Sequence, residues 1–289
     1  MDGEIGDFLR SRRARIQPEE VGLPSYGRRR VPGLRREEVA QLAGMSVDYY
    51  VRLEQGRGPG GTSRTKSGGV SDAVLDAVAR VLRLDAAEHE YLRAVARPAR
   101  RTADPCPEFA PVRPAVRLLL EGMDRNPAYV LDHRMNVLAW NPLADALLGF
   151  SDAERAARNL VRRAFLDPAA RELYPDWSEI AGQTVAHLRL KAGHHPDDPT
   201  VAALVAELSA RSAEFRRMWA DHVVSPCDNG VKRLHHPAAG LLTLPYETLT
   251  IPSAPDQTIV AYVPDPDSET ADRLTMLGSW QATKTATIN

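Results

Sequence analysis

Cysteine is almost missing from this 289-residue sequence, where Cys106 and Cys227 are the only two. Two thiols cannot build a disulfide framework or a four-cysteine zinc site, and they suit a reduced, cytoplasmic protein. Long apolar runs are missing too. None approaches the roughly 18 residues of a membrane-spanning helix, so no membrane partner is expected. The opening Met1-Asp2-Gly3-Glu4 lacks the basic-then-apolar pattern of a secretory signal. Lysine is scarce, with 33 of the 37 basic residues arginine, a ratio that a GC-rich genome produces by itself. What is present is ordinary for a globular chain: 43% hydrophobic and 26% charged residues exclude disorder throughout, collagen-like repeats and coiled coils. At about 150 residues per domain, the length suggests two domains.

The net charge of −1 hides an asymmetry. Residues 1–100 carry 18 basic and 14 acidic side chains, whereas residues 101–289 carry 19 and 24. The window 10–36 holds nine arginines against Glu19 and Glu20. A basic segment on an acidic chain points to a polyanion, with nucleic acid first in line.

Five prolines between Pro98 and Pro114 remove backbone donors and disfavour helix, so 98–114 is read as an extended linker. It separates a head, 1–97, from a second domain, 115–281, and a tail at 282–289 that is expected to be disordered. A glycine- and serine-rich stretch at 56–71, with Arg57, Arg64 and Lys66, reads as a mobile surface loop. The head reads as five short helices. Their apolar stripes are Ile5/Phe8/Leu9, Val39/Leu42/Ala43, Tyr50/Leu53, Val74/Leu75/Val78/Val81/Leu82 and Tyr91/Leu92/Val95, the last opened by an Asp85–Glu88 capping box. After the linker, 128–132 and 135–140 read as strands joined by a turn at Asp132–Arg134. Helices fill 142–221, with starts expected at Asn141-Pro142, Asp167-Pro168, Asp198-Pro199 and a Ser151–Glu154 capping box. Strands return near 230–235, 240–250 and 257–263, and a helix closes at about 268–280. This is an all-α head plus an α+β domain around an antiparallel sheet.

The segment 34–56 has the parts of a helix-turn-helix. Ala40 lets two helices approach, Gly44 can take the positive φ of the turn, and Ser46 can cap the second helix. That second helix, about 46–55, would lie in the major groove. Glu38-Val39-Ala40, Ala43-Gly44-Met45-Ser46 and Arg52-Leu53-Glu54-Gln55-Gly56 resemble the xenobiotic-response-element family of phage-repressor-like transcription regulators, almost position by position. The resemblance implies that Arg36 meets phosphate and that Val47, Asp48, Tyr49 and Arg52 face bases. Arg52 could grip a guanine and Val47 a thymine methyl. Asp48 departs from the pattern and should accept from cytosine or pair with an arginine. Arg28, Arg29, Arg30 and Arg35 are backbone-gripping candidates, adding affinity and salt dependence. The competing account is a small helical bundle with a basic solvated face.

The second domain needs a task of its own. Aromatic and polar side chains cluster on or near one helical stretch: Trp177, His187, Arg189, Trp219 and His222. A mainly apolar pocket with a few polar groups is how proteins hold small molecules. The stretches 126–131, 138–142, 165–177, 193–198, 214–217 and 240–244 resemble the ligand-binding domain of MmyB-like regulators over nearly the whole domain. That resemblance implies a PAS-like α+β fold and an apolar pocket suited to a fatty-acyl or similar hydrophobic effector. Tyr129, Trp140, Trp177, Phe215, Trp219 and Tyr246 are the candidate walls. His187, Arg189 and His222 are candidates for fixing a carboxylate, the histidines adding pH sensitivity. Asn141 reads as a cap, Asp197-Asp198-Pro199 as a loop and cap, and His236-Pro237 as a turn.

No catalytic motif appears in its needed context, so an enzyme is not expected. His194-His195 with Asp197-Asp198, or His222 with His235-His236, would be the only metal sets to imagine; no metal or cofactor is expected. The resulting expectation is a one-component DNA-binding regulator, dimeric on an inverted-repeat operator, with an effector moving helices near 171–221 and, through the linker, the spacing of the heads. Two alternatives stand beside it: a second domain that only dimerises or binds protein, and an enzyme that regulates its own gene.

Overall fold

The computed structural model describes residues 4–23, 33–56, 70–97 and 111–288, with side chains through Trp280. Arg28, Arg29 and Arg30, nearly all of the 56–71 loop and most of the proline-rich linker lie outside the described residues.

The head contains α1 (Glu4–Arg15), α2 (Arg36–Leu42), α3 (Val47–Glu54), α4 (Asp72–Val81) and α5 (Ala86–Ala96), with a short 3-10 turn at Pro18–Val21. Their apolar stripes meet in one core of Phe8, Leu9, Leu34, Val39, Tyr50, Leu75, Val78 and Leu92. The Asp85–Glu88 capping box is formed in both directions, at 2.8 and 3.2 Å.

The second domain starts with α6 (Pro114–Glu121), whose first residue is the last proline of the expected linker. Proline is tolerated there because the first helical N–H has no partner within the helix. Strands β1 (Ala128–Asp132) and β2 (Val137–Trp140) follow, then α7 (Pro142–Leu148), α8 (Leu160–Leu166), α9 (Ala170–Leu173), α10 (Trp177–His194), α11 (Pro199–Arg211) and α12 (Ala213–Ala220). The chain ends with β3 (Asn229–His236), β4 (Gly240–Thr250), β5 (Gln257–Tyr262) and α13 (Glu269–Ile288). The five strands form one antiparallel sheet in the order β2-β1-β5-β4-β3.

One sheet face packs on the helices through Tyr129, Leu131, Leu234, Leu244, Tyr246, Val260 and Tyr262. The other meets α6 through Ala128, Val130, Ala139, Ile259 and Ala261. Covered on both sides, β1 is buried at every position, which explains its apolar run from Ala128 to Leu131. Asn141 does more than cap α7. Its Oδ1 accepts from Ala144 N (2.8 Å) and Ala128 N (3.1 Å), and its Nδ2 donates to Met123 O and Asn126 O, both at 2.8 Å.

Three local expectations are corrected. Ser151 caps nothing; its N–H donates to Asp145 Oδ1, and a 3-10 turn begins after Glu154 instead. Asp167-Pro168 ends α8 and turns the chain through a bond from Ala169 N to Asp167 Oδ1, so α9 starts later. Residues 282–288, expected to be disordered, have helical backbone and prolong α13. Among the described residues, no helix is long and apolar enough to cross a membrane.

Candidate DNA interface and effector cavity

In the head, α2 and α3 are joined by a turn in which Gly44 has φ +69°, the left-handed region glycine adopts without strain. Ser46 caps α3, its side chain accepting from Tyr49 N at 3.2 Å. The cap leaves Val47, Asp48 and Arg52 exposed on one helix face, with Tyr49 half-buried beside them. Arg52 Nε donates to the Asp48 backbone carbonyl at 3.3 Å rather than to its carboxylate. Asp48 is thus not neutralised by Arg52, and its carboxylate remains an acceptor at the helix start. Arg35 is exposed. Arg36 is shared: its Nε binds the Glu54 carboxylate, while the side chain stays 44% exposed.

Glu54 is the residue whose importance spacing alone did not reveal. Its carboxylate is 1% exposed and also takes Arg13 Nε at 3.2 Å; Arg13 in turn reaches Leu34 O at 2.6 Å. One buried acid therefore ties α1, the start of α2 and the end of α3 together.

In the second domain, a cavity of about 60 Å³ lies between the sheet and α10. Tyr129, Tyr246 and His187, all anticipated, line it. Lys232, Lys191, Cys227, Gln183 and Thr184 line it too and were not anticipated. Lys232 sits on β3, where strand alternation sends it inward, but a lysine in an edge strand looks like a solvated charge in sequence. Burial pushes its ammonium below the usual lysine range, and Nζ lies 4.6 Å from the centre of the Tyr246 ring. Among the described residues no carboxylate forms an ion pair with it. Asp132 also borders the cavity, yet its oxygens are taken by Arg134 N, Asn136 N and Asn136 Nδ2.

The remaining candidate walls lie elsewhere. Trp140 packs on Phe150 under the Arg158 guanidinium. Trp177 donates from Nε1 to Ala164 O at 2.8 Å and lies under Arg171. Phe215 stacks on Trp219 within the core. These aromatics hold the helices over the sheet and do not border the cavity.

Arg189 and His222 stand at the seam between head and second domain. Arg189 lies 3.9 Å above the Trp219 ring, donates to Trp219 O and to His222 Nδ1 (3.1 Å), and approaches Glu4 of α1 at 3.9 Å. Arg12 of α1 donates to His222 O at 2.5 Å. Arg189, Trp219, His222 and Glu4 border an open cleft of about 430 Å³, separate from the cavity. The residue types suggested a carboxylate clamp, but in the fold the guanidinium is engaged by the protein itself.

The two histidines do not titrate near neutrality. Burial, then the Lys191 cation, holds His187 down at about 4. Burial, then Arg189, holds His222 at about 4. His187 Nδ1 donates to Pro226 O at 2.6 Å, leaving Nε2 for the cavity side.

Helix α10 is common to both regions. Gln183, Thr184, His187 and Lys191 face the cavity. Leu190, on the same helix, enters the core of the head, together with Val224 after α12.

Two family models match the chain. Residues 112–277 match the model of the MmyB-like transcription regulator ligand binding domain, and residues 4–92 match a helix-turn-helix domain model. No curated protein matches the chain.

Proposed function

Because the chain belongs to the MmyB-like transcription regulators, with a helix-turn-helix head ahead of a ligand binding domain, we propose that it is a cytoplasmic one-component switch, not an enzyme, whose operator affinity is set by a fatty-acyl-like acid bound under the sheet. The observation carrying this reading is Lys232, a cation without an acidic partner among the described residues, at the wall of a mainly apolar cavity. A carboxylate head group there would meet the Lys232 ammonium, and the acyl chain would run along Tyr129, Leu131, Met135 and Val260.

The size of the cavity supplies the coupling. About 60 Å³ is far below the roughly 300–1,000 Å³ of a ligand pocket. An acyl chain enters only if the elements over the sheet part, and α10 is the principal one. Since α10 also carries Leu190 and Arg189 against the head, a filled cavity and the present head contact compete. Effector and operator affinities are then linked reciprocally. The head works as a dimer on an inverted repeat, because one recognition helix reads too few bases for useful specificity.

The test uses the full chain. An operator is selected from a pool of random duplexes, and its affinity is measured with and without saturating myristate. A change of about 5- to 150-fold is expected. An unchanged operator affinity at a myristate concentration that saturates the protein would overturn the reading. If no fatty acid raises the melting temperature, the second domain is a dimerisation module instead.

A further inference from the structure

Away from the cavity, three loops converge beside the carboxyl end of α10. His133 comes from the β1–β2 turn, His195 follows α10, and Asp256 immediately precedes β5. One nitrogen from each histidine and one Asp256 oxygen all lie within 4.8 Å of one another. His195 Nε2 and Asp256 Oδ1 are 3.3 Å apart, the separation of about 3.4 Å that two ligands of a tetrahedral zinc ion have. The imidazoles of His133 and His195 stack with centres 4.0 Å apart.

His133 supplies the independent observation. It is 4% exposed, and its buried Nδ1 has no hydrogen-bond partner among the described residues. Its Nε2 donates to Asp198 Oδ2 at 2.8 Å. An imidazole whose Nε2 carries the donated hydrogen can present an unshared pair at Nδ1. A metal-binding histidine typically donates its other ring N–H to a carboxylate, as His133 does to Asp198. The other Asp198 oxygen, Oδ1, accepts from Thr200 N at 2.8 Å, which fixes the carboxylate in place. Arg134, the nearby cation, donates from Nε to the same Asp198 oxygen at 2.8 Å.

We propose that His133, His195 and Asp256 bind a divalent transition-metal ion, Zn²⁺ by ligand type, with Asp198 orienting His133. Two imidazole nitrogens and one carboxylate oxygen suit zinc and are too few oxygens for calcium or magnesium. Three protein ligands leave a fourth position for water or a small anion. Bound metal would strap the β1–β2 turn and the entry to β5 to the end of α10. The site is independent of the effector reading: it needs neither Lys232 nor the cavity.

The full chain is stripped with a chelator, incubated with Zn²⁺ and desalted, and the retained zinc is measured by elemental analysis. One zinc per chain and a raised melting temperature are expected. His195→Gln and Asp256→Asn, both at partly exposed positions, should each lose the retained zinc, while their metal-free melting temperatures match that of the parent. Asp198→Asn should weaken zinc by about 10- to 100-fold, read by competition with a chelator. Retention well below one zinc per chain would overturn the site. Equal retention in the His195 and Asp256 variants would overturn it as well, since the metal would then lie elsewhere.

Discussion

Tyr91 of α5 packs directly against Gly193 of α10: a Cβ at position 193 would stand 2.6 Å from both Cδ2 and Cε2 of the Tyr91 ring. Tyr91 has no freedom to yield. It is fully buried, packs 5.0 Å from Phe8, and donates its hydroxyl to Glu4 Oε1 at 2.9 Å. The head and the ligand-binding domain therefore touch through a contact that only glycine permits.

Gly193→Ala is expected to force the two apart. Overpacking of this kind costs about 1–3 kcal/mol, so the melting temperature should fall by several degrees. The more telling measurement is operator affinity with and without myristate. If α10 transmits occupancy to the head, the variant loses most of that difference while still binding myristate. An undiminished difference would place the coupling elsewhere, in the linker for example.

The recognition face separates into two expected phenotypes. Arg52 is exposed midway along α3, on the face of Val47 and Asp48. Arg52→Ala should cost about 1–3 kcal/mol on the selected operator and relax base preference at one position. Arg35, at the start of α2, should act on phosphate. Arg35→Ala would weaken all duplexes alike and reduce the salt slope by about one. Identical, sequence-independent losses from both would mean that α3 does not enter the groove as assigned.

Much of this architecture was legible because it is local. Ser46, Asp85, Asn141 and Asp198 announce helix starts, and each caps one. The strands were legible because their apolar residues run in short blocks between turns. The site was less legible because it depends on which face of α10 meets which neighbour. His187 and Arg189 are two residues apart, so they point to different sides of the helix. One reaches the cavity and the other the head. Residue chemistry suggested a shared role that the helical angle forbids. Lys232, His133 and Asp256 carried no local signal, because their partners are distant in sequence and meet only when the sheet closes. Conversely, the Ser151–Glu154 and Asp167-Pro168 signatures were local and still failed. Ser151 N was claimed by Asp145, and Asp167 Oδ1 accepted from Ala169 N.

Stability should depend on acid in a defined direction. His187 and His222 are each held at about 4 against an ordinary 6.5, chiefly by burial. Between those values the unfolded chain binds protons that the folded chain refuses. Stability is therefore full above about pH 6.5 and falls as pH drops toward about 4. Urea midpoints at pH 7.5, 6.0 and 5.0 should decrease in that order. His187→Gln should flatten the decline, since it removes one of the refusing groups. A midpoint that is level or rising on acidification through this window would mean that these imidazoles are solvated in solution.

Lys232 and Arg189 make opposite predictions, although both are cations of the same domain. Arg189 is engaged by Trp219 O, His222 and Glu4, so Arg189→Met removes contacts that join the head to the ligand-binding domain. It should lower the melting temperature and, because the head contact competes with a filled cavity, leave myristate affinity equal or somewhat higher. Lys232 has no acidic partner among the described residues, and burial lowers its pKa. Lys232→Met should leave the melting temperature of the ligand-free chain equal or slightly higher, because a half-buried charge without a carboxylate partner among the described residues is gone. Its effect should appear on binding. A hydrogen bond to a charged group is worth about 1.5–3 kcal/mol, so myristate should bind about 10- to 100-fold more weakly. Tetradecanol has the same chain without the charge and should bind the parent and the variant alike. Should myristate and tetradecanol lose affinity equally in Lys232→Met, the substitution has disturbed the wall of the cavity rather than removed a carboxylate anchor. If Arg189→Met alone abolishes myristate binding, the acid sits in the cleft between the head and α10.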